Sequence, residues 1–394
     1  MRGSWQGRSG GGELTTPAAP LQPNRYIALD SLRGIAALGV AAYHLHGGGM
    51  LFDLAVVRGG WLWVDFFFVL SGFVIASSYG ERLARGFSLV RFMLLRLGRV
   101  WPLHIAVLAF YVAIELARWL VPVGDLASRE AFTGPHSPGL LLATTALVQV
   151  WVPGAGAWSP VSWSISVEVA LYLVIALVWR VAGARGWIIA LVAGIVAAAV
   201  LANLQDLPTP VWQIMRGVSG FGLGVATRRW YLTGPTPRGT LAEAACVVAL
   251  GAVLAGWVSP DWEIVTADAV FVATVAVFAA ERGILSRLLR TAPCVLMGTL
   301  SYSIYLIHVP VIGRGIDLLR LVGLGRLVVV PGGIQHHIAA PPPFDSVLGI
   351  VLLAGCVPVA WCTYRWIELP ARNWSRRRAV KMGAVTEERI APTI

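Results

Sequence analysis

The sequence contains few charged residues, since Asp, Glu, Lys and Arg together make up 13% of it. Soluble domains carry about 25% charged residues. Half that share leaves too little polar side chain to cover a water-facing globule, while 57% of the residues are hydrophobic. The composition therefore excludes an ordinary soluble enzyme and predicts that lipid is the solvent for much of the chain.

Cysteine is also scarce, with four residues in 394 and none in CxxC or Cys/His metal-binding spacing. We therefore expect buried thiols, no metal site and no bound cofactor. The net charge of +11 comes from arginines that lie between apolar runs and form no single basic stripe. That distribution is typical of positive-inside charge, so we expect a lipid bilayer as partner and no nucleic acid.

Apolar runs of about 20 residues, the length that crosses a bilayer as a helix, recur along the chain. They predict an all-α, polytopic membrane protein with about ten transmembrane helices, plus one re-entrant or interfacial segment at 140–152. Residues 1–23 are predicted to be a disordered tail, 24–374 the transmembrane domain, and 375–394 a basic, similarly unstructured tail. The predicted spans are 29–46, 61–79, 100–121, 161–183, 187–204, 211–229, 240–258, 266–281, 293–312 and 346–366.

The orientation follows from the arginines, which concentrate at 82–99, 180–185, 228–238 and 282–290. These segments all lie on one side if 140–152 does not cross, whereas a crossing there would invert every later loop. We therefore predict an inner-membrane protein with both termini in the cytoplasm. The outer loop 313–345, which also carries arginines, has no fold that we can predict.

Tryptophans occur near the ends of several predicted spans. There, the amphipathic indole ring anchors a helix at the boundary between lipid and water. We therefore interpret most of them as interface anchors. The tryptophans at span ends are Trp61, Trp63, Trp101, Trp119 and Trp187.

Ionisable residues occur inside the first predicted span, where each costs about 2.5–3.5 kcal/mol to insert and therefore needs a partner or a purpose. The span contains Asp30, Arg33 and His44. His44 lies eleven positions after Arg33, which corresponds to a rise of about 16 Å and nearly whole helical turns, so both side chains share one face. The alternative is a histidine bonded to a carbonyl and an arginine that reaches to the inner surface.

Two further spans carry polar stripes. Ser164, Glu168 and Tyr172 are spaced i, i+4, i+8, and Tyr305 and His308 lie on one face of the ninth span. The topology places Glu168 and His308 in the outer half, at the depth of His44. A lone membrane glutamate can also be a protonated packing group, and a lone histidine a satisfied core residue.

A third group of polar residues lies at the inner surface. Arg91, Arg96 and Arg99 precede the third predicted span there. Positive-inside charge explains several of these arginines, and their density alone does not identify a ligand.

Six ordered motifs resemble the membrane acyltransferase-3 family over about residues 24–374. Any one of these motifs alone would be weak, but six in order are specific. They are LDSLRGIAA from Leu29 with His44, DFFFVLSGF from Asp65 (which includes Ser71), RLGRVWP from Arg96, WSISVE from Trp163 with Tyr172, Leu300–His308, and YRWIELP from Tyr364.

The resemblance implies ten membrane helices and a transmembrane acyltransferase domain. It further implies transfer of an acetyl or other short acyl group from cytoplasmic acyl-CoA, a co-substrate, to a hydroxyl of a sugar, glycan or glycosylated natural product. The family's arginine-to-histidine motif maps onto Arg33 and His44, and its glutamate onto Glu168. Val169-Ala170-Leu171 departs from the aromatic or polar residues that relatives often carry after the glutamate.

The resulting hypothesis assigns catalysis to His44 as general base and to Glu168 as the carboxylate that orients it. Acyl-CoA phosphates would contact the guanidinium groups of Arg33, Arg91, Arg96 and Arg99, which match phosphate oxygens in pairs. The other motif residues would support the site, with Tyr172, Ser71 or Tyr305 as oxyanion donors. These supporting residues are Asp30, Asp65, Ser71, Ser164, Tyr172, Tyr305 and His308.

Two alternatives remain open from the sequence. A double displacement would use Ser164 or Ser166 as an acylated nucleophile. A transporter or flippase would use the same polar residues to line a path for a small polar or lipid-linked solute, although no internal repeat supports a transporter built from inverted halves.

Overall fold

The computed structural model describes residues 26–45, 47–121, 130–152, 158–204, 206–330 and 333–390. Helices dominate this part of the chain, and we number those of eight residues or more. They are α1 Ile27–Tyr43, α2 Trp63–Ile75, α3 Leu89–Leu120, α4 Pro138–Thr145, α5 Trp163–Ala182, α6 Gly186–Asn203, α7 Thr209–Thr233, α8 Thr240–Leu254, α9 Glu263–Phe278, α10 Ala292–Arg320, α11 Phe344–Thr363 and α12 Leu369–Ile390.

Each of the ten predicted spans coincides with a helix, which confirms an all-α membrane protein. By length and hydropathy, five continuous helical stretches among the described residues can cross a membrane. One of them, Trp163–Asn203, contains two predicted spans, with a turn at Gly183 between α5 and α6. The number ten therefore stays a prediction.

The segment predicted to be re-entrant forms α4 and a single turn, Gln149–Trp151. Eight helical residues rise about 12 Å, too little to cross a bilayer. Side-chain bonds hold the segment inside the protein: Nε2 of His104 lies 2.8 Å from the carbonyl oxygen of Thr144. This geometry agrees with a segment that enters the fold without crossing it.

Central helix α2 is buried along most of its length. Phe66, Phe68 and Phe73 are all at most 2% exposed. A Cβ atom at Gly72 would collide with the backbone of α7 at Phe221, so the two helices touch through their main chains. Such close approach at small residues is a common way for membrane helices to pack.

Helix α1 packs equally closely along α10. A Cβ atom at Gly34 would meet the backbone of Met297, and one at Gly298 would meet the backbone of Asp30. Farther along, Arg33 bonds to Ser301 and His44 to His308, so the contacts advance in the same direction and the two helices are parallel. This pairing sets the neighbours of every polar residue on α1.

The structure corrects the prediction of an unstructured tail after Trp374, because α12 continues as a helix to Ile390. Ser375 and Ala379 are buried on one face of α12. A Cβ atom at Gly98 would collide with Ser375, so α12 lies directly against α3. The high charge of this segment suggested a tail, but its arginines at 376–378 are exposed while Ser375 and Ala379 pack inward.

Loop 313–345 is also structured. Helix α10 continues to Arg320, and strands β1 Gly325–Val330 and β2 Gly333–Ile338 form an antiparallel hairpin in which Gly325 pairs with Ile338. Asp317 joins the helix to the hairpin, because its carboxylate lies 2.9 Å from both Arg314 and His336. Hydropathy detects only the apolar part of α10, which is why the predicted span stops too early.

Candidate active site

Three adjoining cavities run through the helical bundle, and we name them by the predicted orientation. The inner cavity shares Arg33, Arg99, Ser301 and Tyr302 with the middle cavity. The middle cavity in turn shares only Val64 and Tyr305 with the outer cavity. The three cavities therefore adjoin in series, with Val64 and Tyr305 between the middle and outer cavities, and we call this series the path.

The inner cavity is the most basic part of the path. Arg33 donates from Nε to Ser301 Oγ at 2.8 Å and from Nη2 to the Gly298 carbonyl at 3.2 Å, and it lies 3.5 Å from Asp30. Arg99 makes no hydrogen bond or ion pair with any residue that the structure describes, and its charge repels that of Arg33. Two like charges in one cavity, one of them without a direct partner, suit an anionic ligand.

The other two predicted arginines differ in position. Arg96 lines the middle cavity and donates to the Tyr79 hydroxyl at 3.0 Å. Arg91 lines none of the three cavities, because its guanidinium packs on the Phe87 ring at 5.1 Å and against Gly383 of α12. The structure therefore brings Arg33, Arg96 and Arg99 to the path but leaves Arg91 outside it.

Three residues of the inner cavity were not predicted as site residues. Glu368, Arg372 and Arg376 all line it, and Arg372 donates to Glu368 at 3.3 Å. Glu368 belongs to the YRWIELP motif, so a carboxylate close to a membrane span was a signal for it. Both arginines lie on α12, which composition alone assigned in part to a tail.

Glu168 lies in the middle cavity, as its stripe on α5 predicts. Oε1 accepts a hydrogen bond from Tyr172 at 2.5 Å and another from Ser71, while Oε2 has no partner among the described residues. A hydroxyl group carries one proton, so Tyr172 and Ser71 have none left for an oxyanion. The hypothesis that either of them stabilises an oxyanion does not fit this geometry.

His44 pairs with His308, which lies on the neighbouring helix. Nδ1 of His44 lies 2.9 Å from the Val40 carbonyl and 3.2 Å from Nε2 of His308, while Nδ1 of His308 lies 3.2 Å from the Ile304 carbonyl. A carbonyl only accepts, so in neutral rings both Nδ1 atoms carry the protons. Nε2 of His308 then accepts from His44, and Nε2 of His44 keeps a free lone pair.

The predicted contact between His44 and Glu168 is therefore wrong. Among the described residues, the side chain of His44 bonds to Val40 and His308, and Glu168 bonds to Ser71 and Tyr172. The two residues line different cavities. Depth along a helix was predictable from its rise, but the partner depends on helix packing, and the close contact of α1 with α10 selects His308.

The two candidate nucleophiles, Ser164 and Ser166, differ in their position relative to the cavities. Ser166 donates to the Leu147 carbonyl at 2.7 Å and lines none of the three cavities. Ser164 lines the middle cavity, where its hydroxyl lies 2.7 Å from that of Tyr305. Tyr305 donates to the Val161 carbonyl at 2.9 Å, which leaves its proton unavailable to an oxyanion. Among the described residues, Ser164 bonds to Val161 and Tyr305 and to no histidine or carboxylate base.

Asp65, predicted as a supporting residue, is fully buried and bonded to Arg216. Two parallel hydrogen bonds join them, Nε to Oδ1 at 2.9 Å and Nη2 to Oδ2 at 2.6 Å. Arg216 lines the outer cavity together with His44. Sequence reasoning missed Arg216, although an arginine inside span 211–229 needed a buried carboxylate, and Asp65 was available.

Comparison with known proteins identifies the family. Residues 26–361, most of the chain, match the acyltransferase-3 family, described as an acyltransferase domain. The chain belongs to this family. It is therefore a membrane acyltransferase, and family membership favours the enzyme over the transporter that the sequence left open.

Two relatives are similar in sequence. Acyltransferase MdmB of Streptomyces mycarofaciens is 28% identical over 381 residues, which cover 81% of this chain and 92% of MdmB. Protein 2 in the picA locus of Rhizobium radiobacter is 36% identical over 109 residues, which cover 26% of this chain and only 55% of that relative. No solved structure matches the chain.

The described residues contain no group of three or more His, Cys, Asp or Glu side chains placed to hold a metal ion. Among the described residues that line the three cavities, His44 is the only histidine, and its Nε2 atom bonds to none of the others.

Proposed function

We propose that this protein transfers an acetyl or other short acyl group from cytoplasmic acyl-CoA to a hydroxyl group of a sugar, glycan or glycosylated metabolite. The observation that carries the proposal is the series of adjoining cavities, which begins at an arginine-lined inner cavity and ends at the outer cavity that His44 lines. MdmB, which is an acyltransferase by name, supports the same reaction class.

The donor would enter through the inner cavity. Four guanidinium groups and two carboxylates line it, so its net charge is positive. Coenzyme A carries several phosphate charges, and arginine pairs with phosphate through two parallel N–H donors. The phosphates would lie at the basic end while the pantetheine arm carries the thioester along the middle cavity. The four arginines are Arg33, Arg99, Arg372 and Arg376.

The acyl group would transfer beside Tyr305, where the middle and outer cavities adjoin. Nε2 of His44 removes the proton from the acceptor hydroxyl, whose oxygen attacks the thioester carbonyl. The tetrahedral intermediate then expels the coenzyme A thiolate, which takes the proton from the imidazolium of His44. The direct route needs no acyl-enzyme, and the Val40 carbonyl keeps the imidazole of His44 in the required tautomer, while His308 accepts a second hydrogen bond from it.

The distribution of arginines also supports a proposal for the location and orientation of the protein in the cell. The arginine-rich helix ends favour a cytoplasmic inner face, so we propose an inner-membrane enzyme with both termini in the cytoplasm. The donor would then arrive from the cytoplasm, and the acceptor would reach His44 through the outer cavity.

The test uses the full chain in lipid nanodiscs, with acetyl-CoA and a series of alkyl glycosides. We expect free coenzyme A thiol to be released in step with an acetyl mass gain on the glycoside, measured by mass spectrometry. Empty nanodiscs control for spontaneous acylation. Movement of unmodified glycoside across vesicles, without any thioester consumption or acyl transfer, would overturn the proposal.

A further inference from the structure

The outer cavity has a wall of tryptophan rings. Trp61, Trp163 and Trp212 line it together with His44, and all three rings are partly exposed. The centroids of the Trp61 and Trp212 rings lie 6.0 Å apart, with their planes tilted by 31°. The sequence suggested that Trp61 anchors a helix in the lipid interface, but here it faces an internal cavity.

Arg216 fixes this wall. Its guanidinium carbon lies 4.4 Å from the ring centroid of Trp212, 4.8 Å from that of Trp61 and 5.3 Å from that of Trp163. A cation within about 6 Å of an aromatic face attracts the ring. Arg216 also donates to the Trp61 carbonyl at 3.3 Å, and its side chain is buried. The three rings are therefore held in place before any ligand binds.

The outer cavity also lacks net charge, unlike the inner one. Arg216 is the only formally charged residue among those that line it, and the fully buried carboxylate of Asp65 neutralises it. The remaining polar lining groups include the phenol of Tyr43 and the amide of Gln213. Such a site disfavours an anionic ligand and suits one that combines an apolar face with hydroxyl groups.

We propose that the outer cavity binds an uncharged glycosyl ring of the acceptor against Trp61 and Trp212, with one ring hydroxyl at Nε2 of His44. The C–H groups of a pyranose form an apolar face with a slightly positive surface, which matches the negative face of an indole ring. Gln213 and Tyr43 offer partners for the remaining hydroxyls. This inference rests on the proposed acyl transfer and specifies the class of acceptor.

The test compares acceptors and tryptophan variants in nanodiscs with acetyl-CoA as donor. The acceptors are a neutral alkyl glycoside, the matched alkyl uronide, which carries a carboxylate, and an acyclic alditol. For the unsubstituted protein we expect the neutral glycoside to be the best acceptor. For W212A we expect its KM to rise about fivefold or more while the KM for acetyl-CoA is unchanged. W212F should recover most of the acceptor affinity, because it keeps an aromatic face.

W257A is the matched control, because Trp257 is 81% exposed and lines none of the three cavities. We expect it to leave both KM values unchanged. An unchanged glycoside KM in W212A, or equal use of glycoside, uronide and alditol by the unsubstituted protein, would overturn the glycosyl subsite while leaving acyl transfer intact. Failure to acylate any of the three acceptors would instead refute the proposed function on which the subsite rests.

Discussion

The pairing of two histidines makes a quantitative prediction about His308. Replacing it in H308L removes the acceptor that lies 3.2 Å from Nδ1 of His44. The Val40 carbonyl, at 2.9 Å, still accepts from the same proton. The basic tautomer of His44 therefore survives, and the variant loses one neutral hydrogen bond, worth about 0.5–1.5 kcal/mol. If that bond acts mainly in the transition state, kcat falls by roughly 2- to 13-fold.

Loss of the base itself has a much larger effect. H44A removes the proposed general base, and general bases typically contribute about 10²- to 10⁴-fold to a rate. The two variants should therefore differ by at least about tenfold in kcat. The measurement is steady-state acetyl transfer at saturating donor and acceptor, with the KM for acetyl-CoA as internal control, because neither histidine lines the inner cavity.

A third variant separates chemistry from packing. H308Q carries an amide oxygen that can accept from His44, so we expect it to recover part of the loss seen in H308L. Thermal unfolding in nanodiscs checks that each variant is folded, since His308 is fully buried. If H308L loses as much activity as H44A while remaining folded, His308 itself carries the proton, and the tautomer assignment is wrong.

Two further predictions concern the ends of the path. D65N should lower the thermal stability markedly, because breaking a buried ion pair costs about 3–5 kcal/mol. Adding R216M to D65N should restore part of that stability, and an unchanged melting temperature in D65N would contradict a structural role for the pair. R376A should raise the KM for acetyl-CoA several-fold, and it should raise the KM less for a donor that lacks the 3′-phosphate. The control R378A, whose side chain lines none of the three cavities, should not raise either KM. Equal effects in both variants would point to general surface charge.

The helices were predictable because hydropathy reads directly from the sequence. Spans such as 161–183 and 211–229 lie within a few residues of α5 and α7. The exceptions share a cause, since α12 and the hairpin β1–β2 are stabilised by contacts with α3 and α10 and not by apolar composition. A charged segment that packs along one face, such as Leu369–Ile390, looks unstructured to any measure of average hydropathy.

Several residues that line the path were predictable from the sequence, but their pairings were not. His44, Glu168 and Arg33 all line the path, and the rise of a helix was enough to estimate their depth. The direction in which each side chain points depends on how helices rotate against one another, which a single sequence does not reveal. His44 therefore met His308 where Glu168 was expected.

A balance of charge would have found one pairing that hydropathy missed. Arg216 and Asp65 each lie within a predicted span, and neither is stable there without an opposite charge. Matching the buried cation to the buried anion requires no structural knowledge. The structure adds that Arg99 has no hydrogen-bond or ion-pair partner among the described residues, and it lines the inner cavity, where we propose that the donor phosphates bind.

The contact between α1 and α10 links the two ends of the reaction path. At one end of the contact Arg33 donates to Ser301, and at the other end His44 donates to His308. Between them, Gly34 brings the two backbones together, so neither helix can shift without disturbing both pairs. The eleven residues from Arg33 to His44 place the two ends about 16 Å apart. The proposed donor, if its phosphates bind at Arg33, would therefore need a long arm to present its thioester at His44, and the pantetheine arm of coenzyme A would provide one.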